Sequence, residues 1–256
     1  MLTNFLFAAM LALMLPSAAL AAQSAKTPER DYDICVAQVS TDADKALVYA
    51  RAWKMEGGAN ALAALHCEAL ALSALGRDAE AASTFSQVAL NMNDAPKEVR
   101  AEAYAQAADA WLLADDPARA RIAIDQALAL DPTAEYLLWR ADIRALSKDW
   151  EGVRADTGEV LAEWPTSAEA LTLRATALRN LGYPKAALAD AERAAAIAPH
   201  NLAALLERGL MRAANGNVAG ARSDWEDVVR FARETGRSDD PSAVAARDYL
   251  KKGAPR

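Results

Sequence analysis

The sequence predicts an all-α fold, an α-solenoid built from a stack of short helix pairs. Three observations carry this. Pro132, Pro165 and Pro199 stand 33 and 34 residues apart, a period that one helix-turn-helix unit fills. Small residues recur in phase with those prolines at Ala108, Ala141 and Ala175, with counterparts at Ala69 and Gly209. The composition is 53% hydrophobic yet only 6% aromatic, so alanine supplies much of the apolar share. Alanine is the best helix former and lets axes approach closely, which suits thin helical layers better than one deep core.

The chain opens with an apolar run from Phe5 to Leu15, a helix breaker at Pro16 and the small residues Ala19, Leu20, Ala21 and Ala22. That order is the one of a secretory signal peptide with an A-x-A cleavage site. Residues 1–22 are expected to be that signal, residues 23–30 a linker and residues 31–252 the helical domain. The segment before the apolar run holds no Lys or Arg, and the alternative is an uncleaved membrane anchor, although Pro16 leaves the run short for a span. Cleavage would leave no stable membrane insertion and place the chain in the periplasm or outside the cell. The formal net charge is −7, and without a basic stripe to displace counterions from a phosphate backbone, nucleic acid is excluded as a partner.

From Asp31 a short helix is expected to about Val39, a break at Ser40-Thr41, and a second helix from Asp42 to about Met55, stopped by Gly57-Gly58. Thr41 or Asp42 can cap that second helix through a side-chain oxygen. Cys35 lies on the first helix of this irregular pair and Cys67 on the first helix of the next. In an exported chain two cysteines favour a disulfide that staples the weak end of the stack; the alternative is two buried free thiols. His66 beside Cys67 falls short of a metal site, since no further ligand stands nearby in the sequence. No metal and no cofactor are expected.

The regular units follow. The central one runs from Ala101 to Pro132, with Tyr104, Ala107, Ala108 and Trp111 on its first helix and Ala120, Ile124 and Ala127 on its second. Later copies carry Leu137, Arg140 and Ala141; Leu171, Arg174, Ala175 and Leu178; and Leu205, Arg208 and Gly209. An earlier copy carries Leu65, Glu68, Ala69 and Leu72, then Ala81, Phe85 and Val88. The small residues let paired helices touch, and the prolines end each second helix. The last second helix lacks its proline, Arg233 standing in that place, and is expected to run to about Thr235. Asp239 or Asp240 followed by Pro241 starts a capping helix over about Ala243 to Lys251, which a stack needs to close its last face.

In these residues the chain resembles the tetratricopeptide repeat (TPR) family over about Leu62 to Glu234, as five repeats. Its N-terminal portion, with Cys35, Trp53, Gly57-Gly58 and His66-Cys67, resembles exported TPR proteins of alphaproteobacterial type. The resemblance implies a right-handed superhelix whose concave face, made by the first helices, holds a peptide or a partner helix, and it implies no catalysis. Val153 and Thr157 depart from the family's pattern.

A second period is superposed. Arg140, Arg174 and Arg208 are 34 residues apart, and so are Asp156, Asp190 and Asp224. This predicts a ladder of arginine-aspartate pairs, within or between repeats, that specifies register.

The concave places of the family's first helix fall here on Ala63, His66 and Leu70; on Glu102, Asp109 and Leu112; on Glu135, Leu138 and Asp142, with Trp139 adjacent; and on Glu169, Thr172 and Arg179. The middle of the groove is therefore acidic with apolar islands, and its partner is expected to be a basic, partly apolar peptide or protein. Glutamate near a helix start is also favoured by the helix dipole alone. Trp139 is the expected anchor. With two histidines far apart and no phosphate loop or nucleophile motif, the chain reads as a non-enzymatic scaffold. The alternative is a structural subunit of a cell-envelope assembly that uses convex or edge surfaces.

Overall fold

Caps decide where these alanine-rich segments begin and end. The computed structural model describes residues 31–57 and 61–253, and the expected signal and linker lie outside them. Thirteen helices follow one another among the described residues. The opening pair is α1 (Tyr32–Thr41) and α2 (Ala43–Glu56). Five pairs come next: α3 (Ala61–Ala74) with α4 (Asp78–Asn91), α5 (Lys97–Leu113) with α6 (Pro117–Leu130), α7 (Ala134–Leu146) with α8 (Trp150–Glu163), α9 (Ala168–Asn180) with α10 (Pro184–Ile197), and α11 (Leu202–Ala214) with α12 (Val218–Glu234). The last helix is α13 (Pro241–Lys252).

Side-chain oxygens of Asp42, Asp116, Thr133, Asp149, Ser167, Asn201, Asn217 and Asp240 each accept a backbone N–H in the first turn of the helix that follows. Each such cap contributes about 1 kcal/mol. The expected break at Ser40-Thr41 falls one residue later, at Asp42, because both hydroxyls donate to the Ala37 carbonyl and keep the last turn helical. The helix that lacks its proline ends at Glu234, and Thr235 closes it by donating to the Phe231 carbonyl at 2.8 Å.

Each helix packs on the next, and first helices pack directly on one another from α7 to α9, α9 to α11 and α11 to α13. The expected small residues lie at those contacts, with Ala69, Ala108, Ala141, Ala175, Ala187 and Ala221 all fully buried. One cluster of buried side chains runs from Ala46 to Ile143 and another from Ala175 to Ala246. The departures Val153 and Thr157 are both fully buried, and the Thr157 hydroxyl is satisfied by donating to the Val153 carbonyl at 2.6 Å.

The stack is less regular at its beginning. Ala69 and Ala108 are 39 residues apart, where later counterparts are 33 or 34 apart. The extra residues form the connection Met92 to Pro96 and lengthen α5 to 17 residues. Both α3 with α5 and α5 with α7 pack less closely than the first helices that follow.

Candidate functional site

The predicted ladder forms, and each rung lies within a repeat. Arg140 meets Asp156 at 2.7 Å, Arg174 meets Asp190 at 2.7 Å and Arg208 meets Asp224 at 2.6 Å. The three aspartates are buried, and an unpaired carboxylate at such depth would be strongly destabilising. Asp156 and Asp224 receive second arginines, Arg144 at 2.8 Å and Arg212 at 3.0 Å. Arg140 also reaches Asp125 of the preceding repeat at 3.0 Å. In the first full repeat the polarity reverses. Glu68 fills the arginine's place, is buried, and is held by Arg51 at 2.9 Å and by Lys54, both on α2. These cations keep its carboxyl below the usual range although burial, the largest influence, pushes it up.

The carboxylates expected from the sequence to face the groove are a different set. Glu102 and Asp109 on α5, Glu135 and Asp142 on α7 and Glu169 on α9 are all exposed. Among the described residues none of the five makes an ion pair or hydrogen bond. Their field is felt by their neighbours. The Asp142 side chain reaches solvent, but the protein crowded around it, followed by the charge of Glu169, pushes its carboxyl up to about 6. The Tyr136 phenol is raised first by burial and then by Asp131, Glu102 and Glu135.

The other groove residues expected from the sequence are placed unequally. Trp139 is 38% exposed and stands edge-on to Tyr136 with ring centres 6.1 Å apart. Leu112 is half-buried against the core. Leu138 is buried, packed with Ala134, Val160 and Ala170. The buried Thr172 hydroxyl donates to the Ala168 carbonyl at 2.7 Å, a helix-internal bond. Arg179 holds the buried Glu207 of the next first helix at 2.6 Å. Leu138, Thr172 and Arg179 are thus engaged within the fold, whereas the five carboxylates and Trp139 are exposed.

Cys35 and Cys67 are joined, with Cα atoms 6.2 Å apart, and tie α1 to α3. Beside this bond lies a feature absent from the predicted groove. A cavity of about 490 Å³ opens between α1, α3, α4 and α5. Its polar edge is a chain of three side chains on three helices. With its proton on Nε2, His66 donates to Gln106 Oε1 at 3.0 Å, and its Nδ1 accepts from the Tyr32 hydroxyl at 2.7 Å. Ala63 and Val99 line the apolar part, and Glu102 stands at the same opening. Sequence reasoning placed His66 on the concave face but gave no role to Tyr32, Val99 or Gln106. The available signal was indirect: Tyr32 lies one turn before Cys35 and His66 directly before Cys67, so the disulfide brings the two rings together.

The fold defines the class, a TPR-type helical solenoid. No protein-family model matches the chain, and no curated protein matches it in sequence. Among solved structures it is similar to MamA of Desulfovibrio magneticus RS-1, at TM-score 0.60 and 17% identity over 69% of this chain and 97% of that one. A tetratricopeptide repeat protein of Parabacteroides merdae matches at TM-score 0.56 and 14% identity, over 91% of this chain and 88% of its own. YrrB, described as a TPR protein with an unusual peptide-binding site, matches at TM-score 0.55 and 15% identity over 79% and 98% of the two chains. At these identities the likeness is one of fold.

Proposed function

We propose that this chain is an exported, non-enzymatic scaffold that binds a basic, partly apolar peptide segment of a protein partner in its concave groove. One observation carries the reading. The buried carboxylates of the ladder are matched by arginines, while Glu102, Asp109, Glu135, Asp142 and Glu169 have no cation among the described residues. Carboxylates that only repel one another raise each other's proton affinity, and a lysine- or arginine-bearing segment laid along them removes that repulsion. The use resembles the one described for YrrB. Export rests on the leader in the sequence, and a disulfide suits an oxidising compartment. The two histidines lie apart, His66 between Tyr32 and Gln106 and His200 tilted against Phe231 with ring centres 4.3 Å apart.

The test is affinity capture from the cell envelope followed by mass spectrometry, with the wild type beside a variant carrying Glu102→Lys, Asp109→Lys, Glu135→Lys and Asp142→Lys. The groove reading expects the partner to be lost from the variant. A partner retained equally would favour the assembly-subunit reading, which draws on exposed apolar side chains of α2 such as Val48, 69% exposed, and Met55, 87% exposed.

A further inference from the structure

We infer that the cavity between α1, α3, α4 and α5 is an anchor pocket for a bulky apolar side chain of the bound peptide, with Glu102 taking a lysine or arginine next to that side chain. The inference rests on the groove reading above and adds a fixed register to it.

Three features support the pocket. The first is its origin. The 39-residue spacing between Ala69 and Ala108 inserts chain between α4 and α5, and α3 and α5 pack less closely than the first helices do from α7 onward. The space that remains, about 490 Å³, is within the range of ligand-binding cavities. The second is its chemistry. His66, Tyr32 and Gln106 satisfy one another along one edge, so the polar edge does not compete for the peptide. The rest of the lining, Ala63 and Val99 among it, is predominantly apolar and gains from burying a hydrocarbon side chain. Val99 is 42% exposed on this surface. The third is charge. Glu102 is exposed, has no cation among the described residues, and begins the acidic row. A peptide with a basic residue beside its apolar one matches both features at once.

The pocket is held open before binding. Tyr32 is tied to His66, and their helices are joined by the bond between the fully buried Cys35 and Cys67. A wall fixed in advance lowers the ordering cost of binding.

The experiment selects a phage-displayed library of random short peptides on the full mature chain. It does so for the wild type and for two variants that fill the space from opposite walls, Ala63→Leu on α3 and Val99→Trp on α5. Circular dichroism and thermal melting establish that each variant is folded, and two variants guard against the failure of one. The wild type is expected to enrich peptides with a large apolar residue at a fixed offset from a lysine or arginine. Each variant is expected to keep the basic preference, to lose the apolar one, and to bind the best wild-type peptide roughly tenfold or more weakly, the loss for one buried side chain. Basic peptides without a fixed apolar residue would overturn the pocket and leave the groove reading standing. Peptides with no basic preference, or no enrichment at all, would overturn both.

Discussion

Asp142 is the residue at which the groove's electrostatics can be read directly. Its carboxyl is pushed up to about 6, first by the crowding of protein around it and then by Glu169. The folded value lies above the ordinary carboxylate value of about 4. The folded chain therefore takes up this proton first, and the group's contribution to stability grows as pH falls from about 6 towards 4 and is lost as pH rises through that window. Above about 6 the charge persists in an unfavourable place that a bound cation relieves, so partner binding should weaken as pH falls through 6. A carboxyl-carbon NMR titration should give Asp142 a midpoint near 6, lowered in Glu169→Gln yet still above the ordinary range, because crowding is the larger cause. A midpoint near 4 in the wild type would remove this account. Other details at this scale were legible only in part. Gly76, Gly182 and Gly216 take the left-handed position in the turns that join paired helices, as glycine permits. Asp115 and Lys148 occupy the same position at φ 56° and 58° without announcing it in the sequence.

Between elements, the ladder is the main polar device. Its period was visible in the chain, but its pairing was not, since a residue pattern repeated every 34 positions is compatible with rungs inside or between repeats. The reversed rung at Glu68 was also invisible, because its cations, Arg51 and Lys54, come from the irregular α2. The Arg174–Asp190 rung is the simplest to test, as Asp190 is buried and its other arginine, Arg193, is 3.8 Å away and exposed. Arg174→Ala should cost about 3 kcal/mol by leaving that carboxylate without its close partner, whereas Arg174→Met with Asp190→Leu should cost far less. Urea denaturation of Arg174→Met, Asp190→Leu and the double variant forms the cycle. If the double variant loses as much as the sum of the single ones, the rung contributes through packing rather than charge.

Over the whole molecule, a stack has mainly neighbour contacts, so local perturbations should stay local. The disulfide closes a loop with a sequence separation of 32 between its cysteines, for which chain entropy gives about 3 to 4 kcal/mol. In the variant Cys35→Ala with Cys67→Ala, hydrogen exchange followed by mass spectrometry should rise in α1, α2 and α3 and stay unchanged in α9 to α12. A uniform rise along the chain would instead mean that the stack unfolds as one unit.

Helix pairs, their number, most of their boundaries and the small residues at their contacts could all be read from one dimension. They depend on local propensity and on a repeat that the chain writes out several times. The division of the charges could not. Arg140 finds Asp156 across 16 positions, Arg179 finds Glu207 across 28, and His66 finds Gln106 across 40. Arg179 looked like a groove residue and is taken up by Glu207, while Tyr32, to which the sequence assigned no role, lines a cavity. Gly209 looked interchangeable with the alanines at its place in the other repeats. In space an added Cβ would stand 2.8 Å from Cδ1 of Trp225, closer than atoms can pack. Which groups are already engaged, and which remain for a partner, follows from distances between residues remote in the chain, and folding alone sets those distances.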